Sequence, residues 1–308
     1  MITWTIGAGG LIGGAIARRL AQEPDSITFE GPAIPWDDTS AAIELLRGSA
    51  KAFAEAATNQ PWAIIWAAGV ATVSTEPAKV ESELTTLAAL VEALRTNPPK
   101  GKGVFFLVSS AGGVYAGSTG SPFSADTPIK PISAYGELKA KQEQVTAAEL
   151  DGVCPVIIGR FSNVYGPGQN LGKLQGLISQ LAMATATRQP INIFVSLDTI
   201  RDYIFVDDAA DQVAYWLTSA ASGCNIKLIA SGEPVALSQL IRTMQSVTKR
   251  KVPVALGSHP SSSHQVLDLR FNPSNVTGPE ENTRPLKHTP LPVGTKLVYQ
   301  DILARMQL

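Results

Sequence analysis

A short apolar segment at the start of the chain runs directly into a glycine-rich turn. Residues 2–6 (ITWTI) are typical of a buried strand, and residues 7–13 (GAGGLIG) lead from it into a helical pattern. The spacing G-x-x-G-x-x-G differs from the common G-x-G-x-x-G, but it still allows the backbone and the start of the helix to approach a pyrophosphate. The segment predicts dinucleotide binding, with a ligand-free glycine-rich turn as the alternative. The cofactor-binding residues predicted here are Gly7, Gly10, Leu11, Ile12 and Gly13.

The first two thirds of the chain alternate short β-rich apolar runs with longer helical patterns. This alternation predicts βαβ units and therefore an α/β fold built on a doubly wound, parallel, Rossmann-type sheet. We predict strands at 2–6, 26–30, 33–36, 62–67, 103–109 and 154–159, and helices at 11–22, 39–58, 76–96 and 133–150. The second and third strands are too close in sequence for a crossover helix, so one helix of the usual set is predicted to be missing.

The pattern changes after residue 165, where a glycine-rich loop precedes a helix predicted at 172–188. Further elements are predicted near 192–195, 203–205, 208–219, 226–229 and 237–248. We expect two lobes. The dinucleotide-binding domain would comprise residues 1–165, rejoined by about 196–224, and a smaller C-terminal α/β substrate-binding lobe would comprise 166–195 and 225–308.

The composition points to a small-molecule partner. The chain of 308 residues carries 25 basic and 26 acidic side chains, a formal net charge of -1, which offers no electrostatic attraction for nucleic acid or an anionic membrane. It also contains no uninterrupted apolar run of about 18 residues and no leader pattern after Met1. We therefore expect a soluble, cytoplasmic protein with no nucleic-acid and no membrane partner.

Cysteine and histidine usage argues against a disulfide and against a metal. Cys154 and Cys224 are far apart and each borders an apolar segment, so we expect two buried free thiols. The histidines lie in C-terminal loops without ligand spacing, so we expect surface residues and no metal site. They are His259, His264 and His288.

The segment YGELK (135–139) supplies a phenol and an ammonium group one helical turn apart. Positions i and i+4 share a helix face, so the Lys139 charge can lie near the Tyr135 hydroxyl and favour its phenolate form. A phenolate stabilised in this way is a usable base at neutral pH. The pattern is weak alone and gains its meaning from the glycine-rich turn upstream.

The end of the second predicted strand bears on the choice of cofactor. Glu30 lies 23 residues after Gly7, where a carboxylate accepts hydrogen bonds from ribose hydroxyls and repels a 2′-phosphate. This position favours NAD over NADP. Asp37 or Asp38 could instead fill a ribose- or adenine-contacting role.

Six motifs in order resemble those of one family. They are TIGAGGLIG (5–13), WAAGVA (66–71), LVSSAGGVY (107–115), YGELK (135–139), RFSNVYGPGQN (160–170) and RDYIFVDDAA (201–210). Their succession over about residues 1–240 resembles the extended short-chain dehydrogenase/reductase family, in particular its NAD-dependent nucleotide-sugar epimerase/dehydratase group.

The resemblance implies roles for individual residues around the cofactor. Tyr135 would be the acid/base, and Lys139 would also hold the nicotinamide ribose. The hydroxyl that usually contacts the reacting sugar oxygen is replaced by Ala111, so Ser110 is the nearest substitute and Ser109 the reserve. A serine pair that only satisfies backbone groups at a strand end is the alternative. The residues that would line the cofactor after the fourth predicted strand are Ala67, Ala68 and Gly69.

The resemblance also implies a nucleotide-diphosphate sugar as substrate, bound by the second lobe. Arg201 offers a planar fork of donors matched to phosphate oxygens, with a salt bridge to Asp202 or Asp207 as the structural alternative. The substrate-binding residues implied in this way are Ser110, Asn163, Asn170, Arg201 and, on a weaker C-terminal resemblance, Arg270. We further expect a homodimer.

The reaction class is narrowed by residues that the chain lacks. Dehydratases and decarboxylases of this group carry acidic residues where this chain has Ala111-Gly112-Gly113, so elimination and decarboxylation are disfavoured. Epimerisation through a transient 4-keto intermediate is favoured, and NAD(P)H-dependent reduction of a 4-keto sugar nucleotide is the alternative. A non-catalytic dinucleotide sensor is a third possibility, weakened by the presence of both Tyr135 and Lys139.

Overall fold

The computed structural model describes residues 1–69, 77–172, 175–257, 266–273 and 288–307. In chain order the elements are β1 (Ile2–Ile6), α1 (Leu11–Leu20), β2 (Ile27–Thr28), α2 (Thr39–Ala56), β3 (Trp62–Trp66), α3 (Pro77–Thr96), β4 (Gly103–Ser110), α4 (Ala111–Val114), α5 (Ala134–Glu149), β5 (Val156–Phe161), β6 (Asn163–Tyr165), α6 (Leu177–Thr187), β7 (Ile191–Ile193), β8 (Ile200–Phe205), α7 (Val206–Thr218), β9 (Cys224–Ile229), β10 (Pro234–Ala236), α8 (Leu237–Thr248), β11 (Val254–Leu256), β12 (Asp268–Leu269) and α9 (Leu291–Met306).

A parallel sheet of six strands, in the order β2-β1-β3-β4-β5-β9, forms the centre of the fold. Every residue of β3 and β5 is buried, because helices cover both faces of the sheet. The core on one face contains Phe53 of α2 and Leu90 of α3, and the core on the other contains Ile16 of α1 and Val213 of α7. The predicted α/β fold with a doubly wound parallel sheet is confirmed.

A second group of elements follows β5. Strand β8 pairs with β6 and β12 in parallel and with β10 antiparallel, while β7 pairs with β11. Helices α6, α8 and α9 pack together over an apolar cluster that includes Leu181, Leu240 and Ile302. Between β8 and β10 in the sequence, the chain returns to the central sheet: α7 packs against α1, and β9 is the edge strand of that sheet. The return to the central sheet thus extends to Ile229, beyond residue 224, and the division into two lobes stays a proposal.

The strand predicted at 33–36 is wrong, and the one predicted at 26–30 is reduced to Ile27–Thr28. Residues 33–36 contain Pro35, which cannot donate to a ladder, and the Trp36 N–H donates back to the Ile34 carbonyl. Because this segment is not a strand, α2 provides the crossover between β2 and β3. Helix α2 corresponds to the helix predicted at 39–58. As predicted, residues 29–36 contain no helix, but the strand predicted at 33–36 is absent as well.

The two cysteines are free, but they are not both buried. Cys154 is half-buried, and burial raises the pKa of its thiol to about 11. Cys224 is exposed, because it begins β9 at the edge of the sheet, so its predicted burial is wrong. His288 is exposed as predicted, with Nε2 3.3 Å from Glu233 Oε1. The predictions for His259 and His264 lie outside the described residues.

The described ranges show neither a cluster of metal-ligating side chains nor a membrane-spanning helix. Within these ranges no group of three or more His, Cys, Asp or Glu side chains could hold a metal ion. No helix in the described ranges has both the length and the apolar character needed to cross a bilayer. The homodimer and the cytoplasmic location stay predictions.

One prediction concerns the aromatic cluster under β1 and β3. Phe53 is fully buried, and its ring centroid lies 5.2 to 6.2 Å from those of Phe29, Trp4 and Trp62. Phe53→Ala should lower the free energy of unfolding by about 3–5 kcal/mol, since it leaves a cavity inside the cluster. Urea unfolding measures the change. Ile27→Ala, at a side chain that is 51% exposed, is the control and should change it by less than about 0.5 kcal/mol. A loss below about 1 kcal/mol for Phe53→Ala would contradict the role of this cluster.

Candidate active site

A cavity of about 570 Å³ lies where β1, β3, β4 and β5 end. The carboxyl ends of parallel strands meet at one edge of a sheet, and open α/β sheets bind their ligands there. Elements of the second group, β6 and β8 among them, close the opposite wall. The sequence-predicted residues that line the cavity are Gly10, Leu11, Ile12, Gly13, Ala67, Ala68, Gly69, Ser109, Ser110, Tyr135, Lys139, Asn163, Asn170 and Arg201.

The glycine-rich turn is packed tightly against the end of β3. A Cβ atom on Gly7, whose φ is +94°, would lie 2.5 Å from the Ala68 backbone nitrogen, and one on Gly13 would lie 2.3 Å from the Gly7 carbonyl oxygen. Gly7 is therefore required by backbone packing, and it does not itself line the cavity. On the cavity side, a Cβ on Gly9 would meet no atom within 4 Å.

Helix α1 begins at the floor of the cavity with Gly10 as its N-cap, and no side chain caps it. The first N–H groups of a helix have no intrahelical partner and carry the positive end of the helix dipole. This end of α1 is thus an open, uncapped site for an anionic group.

Helix α5 holds Tyr135 and Lys139 on the same wall of the cavity. The helix begins next to Ser133, whose Oγ accepts a hydrogen bond of 3.1 Å from the Gly136 N–H. The Lys139 Nζ lies 5.8 Å from the centroid of the Tyr135 ring, as the shared helix face predicts, and its effect on the Tyr135 hydroxyl stays a prediction. A Cβ on Gly136 would lie 2.4 Å from the Gly113 carbonyl oxygen, and this close approach brings the α4 turn against the Tyr135 ring.

The two serines that end β4 make different hydrogen bonds. The Ser109 hydroxyl donates to Glu143 Oε1 over 2.5 Å, whereas Ser110 Oγ accepts from the Gly113 N–H over 3.2 Å and caps α4. The Ser109 proton is therefore committed to a carboxylate. The Ser110 oxygen accepts in this contact, so its proton stays available to a ligand. Ala111, at the position of the usual hydroxyl, is fully buried.

A buried network behind the serines was missed by the sequence reasoning. Arg160 of β5 donates to both Glu143 oxygens, with Nη2 2.7 Å from Oε2, and its Nη1 donates to the Tyr115 hydroxyl over 2.5 Å. The Tyr115 hydroxyl donates in turn to the Ser124 carbonyl oxygen over 3.0 Å. Burial raises the pKa of Tyr115, which keeps the phenol protonated as a donor. No local spacing in the sequence pairs these residues, since Arg160 lies in β5, Glu143 in α5, and Tyr115 and Ser124 in the segment between α4 and α5.

The opposite wall presents donors from β6, β8 and the loop after β6. Arg201 is half-buried, and its Nη1 donates to the Ile200 carbonyl oxygen over 2.8 Å; burial lowers its pKa. Within the described ranges Arg201 forms no ion pair with a carboxylate at 4 Å or less. The alternative of a salt bridge with Asp202 is not realised, because that buried carboxylate accepts from Ser231 and Gly232. The guanidinium is therefore available for an anion.

The two asparagines on this wall are partly engaged with backbone. Asn163 Nδ2 donates to the Asp202 carbonyl oxygen over 2.9 Å, and Asn170 Oδ1 accepts from the Gly172 N–H over 2.9 Å. Asn163 Oδ1 and Asn170 Nδ2 take no part in these two hydrogen bonds. Both residues therefore remain candidates for contact with a ligand.

Several predicted site residues lie away from the cavity. Arg270 forms an ion pair with Asp268, with Nη2 2.6 Å from Oδ2, so its guanidinium is already engaged. Glu30 and Asp37 are exposed and do not line the cavity, because β2 ends two residues before Glu30. Asp38 has a structural role, since its Oδ1 accepts from the Ala41 N–H at the start of α2.

Part of the chain is similar in sequence to two curated enzymes. The chain is 31% identical over 170 residues to a dTDP-4-dehydro-6-deoxyglucose reductase of Escherichia coli, covering 53% of this chain and 52% of that protein. It is 30% identical over 167 residues to a dTDP-L-rhamnose 4-epimerase of Burkholderia thailandensis, covering 53% and 46%. The chain thus spans about half the length of these curated relatives.

The fold is shared with solved structures over almost the entire chain. A UDP-glucose 4-epimerase from Bifidobacterium longum, solved in complex with NAD+ and UDP, superposes with a TM-score of 0.78 at 16% identity and covers 99% of both chains. This likeness establishes the fold. Residues 5–228 match the family model described as the NAD dependent epimerase/dehydratase family, which is well over half of the chain. The chain therefore belongs to the NAD dependent epimerase/dehydratase family, and NAD is its cofactor.

Proposed function

We propose that this protein is a nucleotide-sugar epimerase that acts through a transient 4-keto intermediate, with Tyr135 as the acid/base. The observation that carries the proposal is a single cavity that joins the uncapped start of α1, the Tyr135–Lys139 pair and the Arg201 guanidinium. These three features are suited to a dinucleotide phosphate, to proton transfer and to a second anionic group. The epimerase among the relatives supports the same assignment.

The residues present fit NAD. The glycine-rich turn leaves open space above Gly9, and the uncapped helix start below it suits a pyrophosphate. Ala67, Ala68 and Gly69 expose little side chain, so a flat cofactor can lie against the backbone there. When bound, NAD would accept a hydride from the sugar and return it.

The chemistry left to this chain is proton transfer. Tyr135, beside the Lys139 ammonium, acts as the base and takes the proton from the sugar 4-hydroxyl as the C4 hydride departs. Ser110 donates a hydrogen bond to the same sugar oxygen. After the 4-keto sugar has turned over in the cavity, Tyr135 returns the proton as the hydride arrives on the other face. No net oxidation occurs, so substrate and product differ only at C4.

Arg201 is assigned to the diphosphate, with Asn163 and Asn170 beside it. Its guanidinium lies across the cavity from the α1 end and has no carboxylate partner within the described ranges. A half-buried arginine in this state gains a bidentate partner when phosphate oxygens enter. This wall would hold the nucleotide diphosphate while the sugar reaches Tyr135.

The α4 turn argues against elimination and decarboxylation. Its residues Ala111, Gly112 and Gly113 carry no acidic side chain, and Gly113 lies directly against the Tyr135 ring. A second acid/base from this turn is therefore absent. Epimerisation needs only Tyr135, a hydroxyl donor and the cofactor.

A second candidate is reduction of a 4-keto sugar nucleotide, favoured by the similarity to the Escherichia coli reductase. The two activities differ in stoichiometry. An epimerase interconverts C4 epimers with cofactor in catalytic amount, whereas a reductase consumes one NADH or NADPH per product. Incubation with UDP- and dTDP-hexoses, followed by NMR of the C4 proton and by absorbance of reduced nicotinamide, separates them. Absence of both signals would contradict the proposed function.

The acid/base role predicts a large effect of removing one hydroxyl. Tyr135→Phe should keep the fold and NAD binding but lower kcat by about 100-fold or more, because it removes the hydroxyl assigned to the proton transfer. Steady-state kinetics and calorimetric titration with NAD measure the two effects. Tyr215→Phe, at a tyrosine of α7 outside the cavity, is the matched control. It should leave both kcat and NAD affinity unchanged. Near-normal turnover of Tyr135→Phe would remove Tyr135 from the mechanism.

The two serines predict different outcomes. Ser110→Ala should lower kcat about 10-fold or more, since it removes a donor to the reacting oxygen. Ser109→Ala should lower kcat less, because the Ser109 hydroxyl already donates to Glu143 and the Glu143–Arg160 ion pair remains in the variant. Both kcat values are measured at saturating substrate. A larger loss for Ser109→Ala than for Ser110→Ala would transfer the donor role to Ser109.

The phosphate assignment predicts an effect on KM. Arg201→Met should raise KM for the nucleotide sugar about 10-fold or more and leave NAD affinity unchanged, because it removes a bidentate partner of the diphosphate. Arg270→Met is the control, since Arg270 lies outside the cavity and pairs with Asp268. If KM rises equally in both variants, a specific role for Arg201 is contradicted and the substrate-binding role predicted for Arg270 is supported again. If KM rises in neither, the assignment of Arg201 to the diphosphate is contradicted.

A further inference from the structure

The Lys139 side chain has a buried partner on its own helix. Its Nζ donates to Gln142 Oε1 over 2.9 Å, one turn further along α5. Lys139 is 7% exposed and Gln142 is completely buried. A glutamine is costly to bury, so its place beneath the Lys139 ammonium calls for a physical reason.

The neighbouring carboxylate, that of Glu143, already accepts hydrogen bonds from groups other than the Lys139 ammonium. Glu143 follows Gln142 in sequence, but its two oxygens accept from Arg160 and Ser109. Gln142 thus offers Lys139 an acceptor that carries no charge. Its amide oxygen restrains a side chain with four rotatable bonds and leaves the positive charge uncompensated.

We propose that Gln142 is a positioning residue that holds the Lys139 ammonium beside Tyr135 without neutralising its charge. This inference rests on the proposed function, in which Lys139 acts on Tyr135 and on the bound cofactor. A carboxylate at position 142 would hold Lys139 equally well but would oppose its field at the phenol.

Other charged groups surround this part of α5 and stay unchanged in the test. On α3, Glu83 Oε2 lies 3.2 Å from where a Cβ on Gly69 would be, and Gly69 lines the same cavity as Lys139. On β5, Arg160 pairs with Glu143 of α5, and Tyr115 after α4 accepts from Arg160. Because these groups are common to all variants, a difference between variants reports on position 142.

The test uses two substitutions and one control in the full chain. Gln142→Met keeps the length of the side chain and removes the acceptor, while Gln142→Glu keeps an acceptor and adds a negative charge. Gln144→Met makes the same change at an exposed glutamine of α5. The measurements are the NAD dissociation constant without sugar, kcat across pH, and Tm.

For Gln142→Met we expect NAD binding weaker by about 3-fold or more, kcat lower by about 10-fold, and an activity profile moved to higher pH, because Lys139 is no longer held. Gln142→Glu should restore NAD affinity and keep the shifted profile, since the ammonium is held but its charge is offset. Gln144→Met should match the wild type. If Gln142→Met does not fold, Gln142→Asn replaces it with the same expectations, because its amide falls short by one methylene group.

Two results would overturn the proposal. One is a wild-type NAD dissociation constant and pH profile in Gln142→Met, with only Tm changed. The other is a Gln142→Glu variant that binds NAD no better than Gln142→Met. The NAD titration needs no sugar, so a wild type that turns over no nucleotide sugar contradicts the proposed function, while the binding comparison still decides the role of Gln142.

Discussion

The buried ion pair between Glu143 and Arg160 connects the parts of the molecule that build the cavity. It ties α5, which carries Tyr135 and Lys139, to β5 of the central sheet, and through its hydrogen bonds it also holds Ser109. Loss of one partner of such a pair leaves an uncompensated buried charge, which typically costs about 3–5 kcal/mol. This ion pair therefore helps to fix Tyr135, the proposed acid/base, relative to the end of β4, although neither charge enters the proposed chemistry.

Close backbone approach constrains the other side of the cavity. The contact between the glycine-rich turn and the end of β3 leaves no room for a Cβ on Gly7 or Gly13, and it lets α1 begin at the cavity floor. The second group of elements adds Arg201 from β8 on the opposite wall. In the proposed mechanism one wall binds the dinucleotide and the other binds a second anion, with Tyr135 between them.

Much of the fold and part of the candidate site could be predicted from the sequence. The parallel strands after the glycine-rich turn were recognised because buried strands form continuous apolar runs, and the Tyr135–Lys139 proximity follows from helical spacing alone. The strand predicted at 33–36 failed because an apolar run interrupted by proline does not supply the donors that a ladder needs. Glu30 lies two residues beyond the end of β2, and its contact with the cofactor ribose stays a prediction.

The sequence by itself determined the α/β class, the glycine-rich turn and the residues on one face of α5, because each is a property of neighbours along the chain. Only the tertiary structure decided which polar groups meet across elements. Among the described residues Arg201 has no carboxylate within 4 Å, while Arg270 is paired with Asp268. Ser109 donates to Glu143, while Ser110 accepts from Gly113 and keeps its proton available. Such pairings depend on distances between separate strands and helices, which local patterns do not encode.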